Sequence, residues 1–282
     1  MMQSEMPNRF KLAAIDLDGT LLGPNHQISA ANASAVRQLQ AAGAQVVLAS
    51  GRHYSAMRKY ADAIPGVQWI VSCQGGELSD LRRTTVLSRV FLPTAQAGAV
   101  LELGRSFGFT PVVYTVAGVF TSAGWNGEME LYTELTGNRP VTVDVPGLLA
   151  HEVFKVIWMG DPAAISRVKL PLSQLPASVQ TVRTQARFLE HMPADVSKGT
   201  ALATLATRLG IRPAEAVVFG DGDNDIPMFH WAGVSVAMPH GWPDAIRQAT
   251  HVAPAGPPET AFARGVEMIL ANQTANLPER AG

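Results

Sequence analysis

The 282-residue chain has little cysteine, little charge and no long apolar run. Its one cysteine, Cys73, excludes a disulfide framework and a thiolate metal cluster within the chain. The 22 basic and 23 acidic residues leave a net charge of −1, which provides no overall field for binding nucleic acid or an acidic membrane. No apolar run approaches the roughly 18 residues of a membrane span, and residues 1–9 lack the apolar region of a secretory signal. We therefore expect a cytoplasmic globular protein with neither a nucleic-acid nor a membrane partner, and the oligomeric state stays open.

Apolar residues nevertheless make up 47% of the chain, and at both ends they form short runs that alternate with helical patterns. The runs at 11–16, 45–49 and 68–72 are typical of strands that are buried on both faces. The same alternation returns near the carboxyl terminus. Strands that alternate with helices indicate βαβ units. We therefore predict an α/β fold class with a Rossmann-like parallel-sheet core, built from residues 1–84 and 190–282.

The middle of the chain, residues 85–189, has a less regular pattern in which β-type segments dominate. Strand candidates lie at 111–116, 118–121, 152–159 and 179–183, and helix candidates lie at 94–107 and 162–175. This pattern predicts a separate α+β domain inserted into the parallel-sheet core.

Two carboxylates, Asp16 and Asp18, directly follow the first predicted strand. In an open parallel sheet, ligands bind beyond the carboxyl ends of the strands. Period-two spacing places both side chains on one side of an extended backbone, where they repel unless a cation lies between them or one holds a proton. An ordinary Asp-Gly turn is the alternative interpretation of this run taken alone.

A second acidic run follows another predicted strand, at 216–219. It places Asp221, Asp223, Asn224 and Asp225 within five positions. Such hard oxygen ligands suit Mg²⁺, and the glycine and bidentate glutamate that a calcium-binding loop needs are not at the required positions. A solvated acidic turn is the alternative, but two acidic runs at strand ends favour a magnesium site.

Two further segments have the chemistry that binds a phosphate. Ser50, Gly51 and Arg52 end the second predicted strand and lead into a helix, and Lys198 begins another helix. A hydroxyl, a flexible glycine and the N–H groups of a helix N-terminus attract anions. Taken singly, a plain N-cap and an exposed lysine are the simpler interpretations.

With these motifs in this order, the chain resembles the haloacid dehalogenase-like (HAD) hydrolase superfamily. The motifs are Asp16-Leu-Asp18-Gly-Thr20, Ser50-Gly-Arg52, Lys198 and Gly220–Asp225. The last motif and the long insertion before Lys198 resemble the Cof-type branch, which has a type IIB cap. The resemblance covers residues 11–76 and 190–255. It implies a HAD-like core, with residues 85–189 as a substrate-specificity cap.

The resemblance implies a Mg²⁺-dependent phosphatase that hydrolyses small phosphorylated metabolites, with sugar phosphates as the first class to test. Asp16 would be the nucleophile that becomes an aspartyl phosphate. Asp18 would act as general acid and then as general base. The Mg²⁺ ligands would be the Asp16 carboxylate, the Asp18 backbone carbonyl and the Asp221 carboxylate.

The resemblance also implies which residues bind the phosphoryl oxygens: Ser50, Gly51, Lys198 and Asn224. Asp225 would orient Lys198 or the metal-bound waters.

One departure from the Cof-type pattern follows the third predicted strand. The branch usually has Asn-Gly at this point, whereas this chain has Cys73-Gln74-Gly75. Gln74 keeps an amide but is longer than the asparagine. Gln74 is a candidate substrate contact, and Arg52 of the second motif is another. Lys155 is among the weaker candidates in the inserted region, and Cys73 is interpreted as a small packed residue.

Two alternatives use the same aspartate chemistry. A phosphomutase or other phosphotransferase would share Asp16 and Asp18 and differ only in the acceptor. A receiver-like signalling module would use a phosphorylated aspartate as a switch. Asp18 argues against the switch, because a switch gains nothing from a general acid two residues from its acceptor.

Overall fold

The computed structural model describes residues 10–170 and 172–275, with the side chains of the last helix as far as Ala271. Residues 1–9 and 276–282, which we predict to be part of the core, lie outside the described residues. Within the described ranges, no helix is both long and apolar enough to cross a membrane.

The described strands are named in chain order. They are β1 (Leu12–Ile15), β2 (Gln45–Ala49), β3 (Trp69–Ser72), β4 (Glu77–Asp80), β5 (Val86–Arg89), β6 (Thr110–Thr115), β7 (Val119–Thr121), β8 (Val141–Thr142), β9 (Val153–Met159), β10 (Val179–Gln185), β11 (Phe188–Pro193), β12 (Ala216–Gly220), β13 (Val234–Ala237) and β14 (His251–Val252).

The described α-helices are named in the same way. They are α1 (Ala30–Ala41), α2 (Tyr54–Asp62), α3 (Thr94–Ser106), α4 (Gly127–Thr136), α5 (Val145–Leu149), α6 (Pro162–Arg167), α7 (Lys198–Leu209), α8 (Ile226–Trp231), α9 (Pro243–Gln248) and α10 (Ala261–Ala275). Short 3₁₀ turns occur at Cys73–Gly75, Pro213–Glu215, Asp223–Asp225 and Pro258–Thr260.

The chain divides by compactness into two units. The first unit comprises the residues up to Ala49, the segment Tyr60–Trp69 and the residues from Leu202 onward. The second unit comprises Ser50–Lys59 and Ile70–Ala201. The boundaries that we placed at 84/85 and 189/190 remain a prediction.

The first unit contains parallel strands in the order β14-β13-β12-β1-β2. β1 is buried along its whole length, as the unbroken apolar run predicted. Its register pairs Ile15 with Phe219 on β12 and with Leu48 on β2. Because the strands are parallel, their carboxyl ends lie at one edge of the sheet. The predicted α/β class with a parallel-sheet core is confirmed.

Helix α1 anchors the loop that follows β1. The helix begins after Ser29, whose hydroxyl accepts a hydrogen bond from the N–H of Asn32. The buried Asn32 side chain then donates to the Leu21 carbonyl at 2.9 Å. The N–H of Leu21 in turn donates to the Asp16 carbonyl at 3.2 Å. The loop from Asp16 to Leu21 is therefore closed on itself and tied to the helix.

The second unit contains β3-β4-β5 and a six-stranded sheet in the order β10-β11-β9-β6-β7-β8. The strand pairs of this sheet are antiparallel except β7–β8. Alternation along β9 sends Val156 and Trp158 into one buried apolar cluster and Ile157 and Met159 into another. The mixture of sheet and helices matches the α+β character predicted for the middle of the chain.

Two segments of the second unit differ from the sequence prediction. The helix predicted at 162–175 ends at Arg167, because Leu170 precedes a proline and residues before proline disfavour helical backbone. Helix α4 was missed although both of its end signals are present. Asn126 caps its first turn and Gly137 ends it with a φ of 71°.

Two histidines of the second unit are buried. His53 contacts Ser55 Oγ through Nδ1 at 2.8 Å and the Thr115 carbonyl through Nε2 at 3.0 Å. Burial lowers the pKa of His53 to about 4 and that of His191 to about 3. Both imidazoles are therefore neutral in the folded protein near pH 7.

We expect these histidines to make stability fall in mild acid. In the unfolded chain each imidazole takes up a proton below its usual pKa of about 6.5, whereas in the folded protein it stays neutral. The free energy of unfolding therefore falls by about 2 kcal/mol per histidine between about pH 6.5 and pH 5. Urea unfolding of His191→Gln should show a weaker loss over this range than the unsubstituted protein. The exposed His230 supplies the control, His230→Gln. Equal pH dependence in all three proteins would contradict the expectation.

Candidate active site

Strands β1 and β12 lie side by side, and each is followed immediately by an aspartate. Asp16 comes directly after β1, and Asp221 directly after β12. One carboxylate oxygen from each of Asp16, Asp221 and Asp225 lies within 4.8 Å of those of the other two. The structure therefore brings together carboxylates that are more than two hundred positions apart in sequence.

The loop after β1 packs directly against Asp221. Gly19 has a φ of 79°, and a Cβ there would lie 2.3 Å from Asp221 Oδ2, so only glycine fits this position. The Thr20 hydroxyl donates to Asp221 Oδ1 at 3.2 Å. The His240 ring nitrogen Nε2 lies 2.8 Å from the Gly19 carbonyl oxygen. The loop after β1 thus packs on the Asp221 carboxylate, and His240 contacts the same loop.

Asp225 holds the acidic turn after β12 in place. Its side chain is fully buried, and Oδ2 accepts hydrogen bonds from the N–H groups of Asp221 at 2.9 Å and Gly222 at 3.0 Å. Asn224 lies close by, since a Cβ on Gly222 would be 2.5 Å from its amide oxygen. The roles predicted for Asn224 and Asp225 toward phosphate and Lys198 remain predictions.

Asp18 lies outside the group of three carboxylates. Its side chain is one-third exposed, and its Oδ1 is 3.5 Å from Nδ1 of His26. Both residues line a cavity of about 230 Å³, together with the loop after β1 and His240. A partly exposed carboxylate beside a cavity can be reached by a small molecule, as a general acid requires. The predicted metal contact through its backbone carbonyl remains a prediction.

The donor chemistry of the three-aspartate group fits Mg²⁺. Asp16 is 4% exposed and Asp225 is fully buried, so little water is available to screen the repulsion between their charges. Such a cluster needs a cation or a shared proton to be stable. Mg²⁺ binds one or two carboxylates and retains several waters. Asp16 and Asp221 would hold the ion, and the nearby Asp225 carboxylate would add negative potential at the site.

The segment 50–52 in the second unit keeps all three of its carbonyl oxygens occupied. The first carbonyl accepts a hydrogen bond from the N–H of Gln74 at 3.1 Å, and the third accepts from the N–H of Cys73 at 2.9 Å. The middle carbonyl, that of Gly51, accepts from the ammonium of Lys155 at 2.6 Å. These three hydrogen bonds fix the backbone of the segment.

The Ser50 hydroxyl is buried and accepts a hydrogen bond from the N–H of Arg52 at 3.2 Å. A hydroxyl that accepts in this way still has its own proton to donate. The Arg52 guanidinium donates to the Thr136 carbonyl at 2.5 Å and the Leu135 carbonyl at 3.4 Å. These carbonyls are in the last turn of α4, where cations are stabilised. The predicted substrate contact of Arg52 remains a prediction.

The turn Cys73–Gly75 adopts left-handed backbone at three successive residues. The φ angles are 53° at Cys73, 63° at Gln74 and 103° at Gly75. A Cβ on Gly75 would lie 2.2 Å from the Ser197 carbonyl oxygen, directly before the buried Lys198. Left-handed non-glycine residues persist where surrounding contacts enforce them, and they concentrate at functional sites.

Cys73 itself is a buried, packed thiol. It belongs to an apolar cluster in the second unit with Tyr114 and Phe154. Burial raises its pKa to about 12, so the thiol stays protonated at neutral pH. A protonated, inaccessible thiol is neither a nucleophile nor a metal ligand.

Sequence reasoning missed one buried group, the Lys155–Glu190 ion pair. Lys155 was considered only as a weak substrate contact, and Glu190 was not considered. Their Nζ and Oε2 atoms are 2.5 Å apart, and the Gln74 amide donates to the same Glu190 oxygen at 3.1 Å. A signal was present, because each is an isolated charge inside an apolar strand and such charges are normally paired.

Residues 13–256 match the family model of the haloacid dehalogenase-like hydrolases. An HMP-PP phosphatase of Cronobacter sakazakii is 29% identical over 248 residues, which cover 86% of this chain and 89% of that protein. An HMP-PP phosphatase of Citrobacter koseri is 28% identical over 247 residues, with coverages of 87% and 90%. A solved phosphatase of the haloalkanoate (HAD) enzyme superfamily from Bacteroides thetaiotaomicron is 26% identical, with a TM-score of 0.78 over 96% of this chain and 97% of that one.

We expect Asp221→Asn to weaken Mg²⁺ binding at least about tenfold, because it removes a charged ligand from the three-aspartate group. Titration calorimetry with Mg²⁺ alone measures this directly. Asp223→Asn is the matched control, since it makes the same change in the same turn at a residue outside the group. Equal affinities of the two variants would contradict the assignment of Asp221.

Proposed function

The chain belongs to the haloacid dehalogenase-like hydrolases, and on that basis we propose that it is a Mg²⁺-dependent phosphatase of small phosphorylated metabolites. Its membership confirms the resemblance inferred from the motifs. The observation that carries the proposal is the convergence of Asp16, Asp221 and Asp225 within 4.8 Å. The relatives named HMP-PP phosphatase support a phosphate ester as the substrate class.

Asp16 is the proposed nucleophile. Its carboxylate oxygen forms a bond to phosphorus while the bond from phosphorus to the leaving-group oxygen breaks, and the product is an aspartyl phosphate. Asp18 donates a proton to the departing alkoxide in this step. It then takes a proton from the water that attacks phosphorus, so that inorganic phosphate leaves and Asp16 is restored as a carboxylate.

A carboxylate that attacks a phosphate dianion must overcome the repulsion of like charges. Bound Mg²⁺ would supply positive charge at this point, held by Asp16, Asp221 and the Asp18 backbone carbonyl. Phosphoryl transfer is accelerated mainly by positioning and charge stabilisation, so the neighbouring donors matter as much as the nucleophile.

The remaining predicted residues supply those donors in the proposal. Ser50 offers a hydroxyl whose proton is available for donation. Gly51 offers a backbone N–H without a side chain in the way. Lys198 offers an ammonium at the first residue of α7, and Asn224 an amide. Asp225, which already orders the turn after β12, would orient Lys198 or the metal-bound waters.

We expect Asp16→Asn to abolish phosphate release while leaving the fold intact, because the change is nearly isosteric and removes only the nucleophilic oxygen charge. Release of inorganic phosphate should be measured with Mg²⁺ across sugar phosphates, nucleotides, cofactor phosphates and HMP-PP, and compared as kcat/KM. Asp244→Asn, at an exposed residue of the first unit, is the matched control.

Three outcomes of this assay would contradict the proposal or part of it. Phosphate release that requires an added bisphosphate or another acceptor would indicate a phosphomutase or phosphotransferase. A single phosphorylation without turnover would indicate a receiver-like switch. Substantial activity in Asp16→Asn would remove Asp16 from the nucleophile role.

We expect Lys198→Met to lower kcat/KM at least about 100-fold, since it removes a buried counter-charge from the phosphoryl group while keeping the length of the side chain. Steady-state kinetics on the best substrate of the panel measures the effect. Lys169→Met removes an exposed lysine and is the control. If both variants have near-normal kcat/KM, Lys198 has no role in the site.

A further inference from the structure

The Lys155–Glu190 pair is buried in the six-stranded sheet of the second unit. Lys155 is fully buried and Glu190 is 5% exposed. Lys155 Nζ contacts Glu190 Oε2 at 2.5 Å and the Gly51 carbonyl at 2.6 Å, and it lies 4.5 Å from the centre of the Tyr114 ring. Glu190 also accepts from the Thr184 hydroxyl at 2.9 Å. The ammonium and the carboxylate are thus completely enclosed by specific partners.

The strand register explains how the pair forms. Lys155 on β9 is opposite Tyr114 on β6, so the aromatic ring and the aliphatic stem share one face of the sheet. On β11, Glu190 is opposite Ile157, which is two residues from Lys155 and therefore points to the same face.

Stability alone is a weak reason for such a pair. A buried ion pair often contributes no more than well-packed apolar side chains of similar volume, because removing two charges from water is costly. Unlike an apolar pair, the ion pair forms hydrogen bonds to its surroundings, and one of them is from Lys155 to the Gly51 carbonyl.

That contact acts on the segment 50–52. Carbonyl oxygens repel a bound phosphate, whereas N–H and hydroxyl groups attract it. Backbone N–H groups already occupy the two outer carbonyls of the segment, and only Lys155 holds the middle one in the described part of the chain. Without the ammonium, the Gly51 carbonyl would be free to rotate toward an anion.

We infer that Lys155, held by Glu190, is a positioning residue that keeps the carbonyls of segment 50–52 turned away from a bound phosphate, an inference that rests on the proposed function. The effect reaches Ser50 through one peptide group. The Gly51 carbonyl and the Arg52 N–H belong to the same peptide, and that N–H donates to the Ser50 hydroxyl. Hydrogen bonds in such a chain polarise one another, so the Ser50 proton becomes a better donor.

Glu190 completes the arrangement. It balances the charge of Lys155, and the same oxygen accepts from the Gln74 amide. A Cβ on Gly51 would lie 2.3 Å from that amide nitrogen, so Gln74 packs directly on the Gly51 backbone. The pair therefore restrains Gly51 from its carbonyl side and, through Gln74, from its Cα side.

A double-mutant cycle between Lys155 and Ser50 tests the inference. Every variant with Lys155→Met also carries Glu190→Gln, so that removing the ammonium leaves no unpaired buried carboxylate, while the reference protein keeps the intact ion pair. Lys155→Met and Ser50→Ala are then made singly and together. Two quantities are measured: the affinity for inorganic phosphate with Mg²⁺ by calorimetry, and kcat/KM for p-nitrophenyl phosphate.

We expect Lys155→Met to lower phosphate affinity and kcat/KM about tenfold or more when Ser50 is present. In the Ser50→Ala protein the same change should lower them less than about threefold, because the hydroxyl through which Lys155 acts is gone. Equal factors in both proteins would mean that Lys155 only supports the fold, and would overturn the inference.

Arg89→Met is the matched control. It breaks another ion pair of the second unit, between the exposed Arg89 and the buried Glu77 at 2.8 Å, and its effect should be the same with and without Ser50. If Lys155→Met does not fold, as judged by circular dichroism, Lys155→Gln replaces it with an expected factor of about three to ten. Additive effects of that variant would equally overturn the inference.

The two readouts separate this inference from the proposed function. If the unsubstituted protein binds phosphate but releases none from any ester, the proposed function fails while the cycle in phosphate affinity still decides the role of Lys155. If the protein turns over esters and the cycle is additive, the proposed function stands and the inference fails. Absence of phosphate binding would overturn the inference itself.

Discussion

Repulsion among three aspartates is the constraint on which the first unit depends. Asp16, Asp221 and Asp225 direct oxygens to within 4.8 Å of one another with little solvent between them. Three like charges at that spacing, two of them buried and one half-buried, would destabilise the fold unless positive charge or a proton compensates them. The parallel pairing of β1 and β12 nevertheless forces them together. A cation bound among the three carboxylates would offset this cost, as the proposed function requires.

In the proposed function, the second unit has a different electrostatic task, which is to present hydrogen-bond donors rather than acceptors to a phosphate. Segment 50–52 achieves this by engaging each of its carbonyl oxygens, two with backbone N–H groups and one with the Lys155 ammonium. The left-handed turn Cys73–Gly75 supplies the two backbone donors nearby. Strained backbone and a buried ion pair are costly features, and both donate hydrogen bonds to the carbonyls of this one segment.

Several site residues could be predicted from sequence because they follow apolar runs at strand ends. That rule located Asp16, Asp221 and Ser50 and indicated the fold class. It could not locate Glu190, because this residue lies inside a strand and not at the end of one. It also failed for α6, where a proline near the end of the predicted helix outweighed an otherwise helical pattern.

The sequence by itself determined the parallel-sheet core, the acidic runs at the strand ends and the family, since each of these rests on local pattern. Only the tertiary structure decided that Asp225 lies beside Asp16 and Asp221 while its Oδ2 holds the turn, and that the Lys155 ammonium donates to the Gly51 carbonyl. The reason is physical. Local spacing sets which face of a strand a side chain occupies, whereas a charge acquires its partner only when distant strands pair.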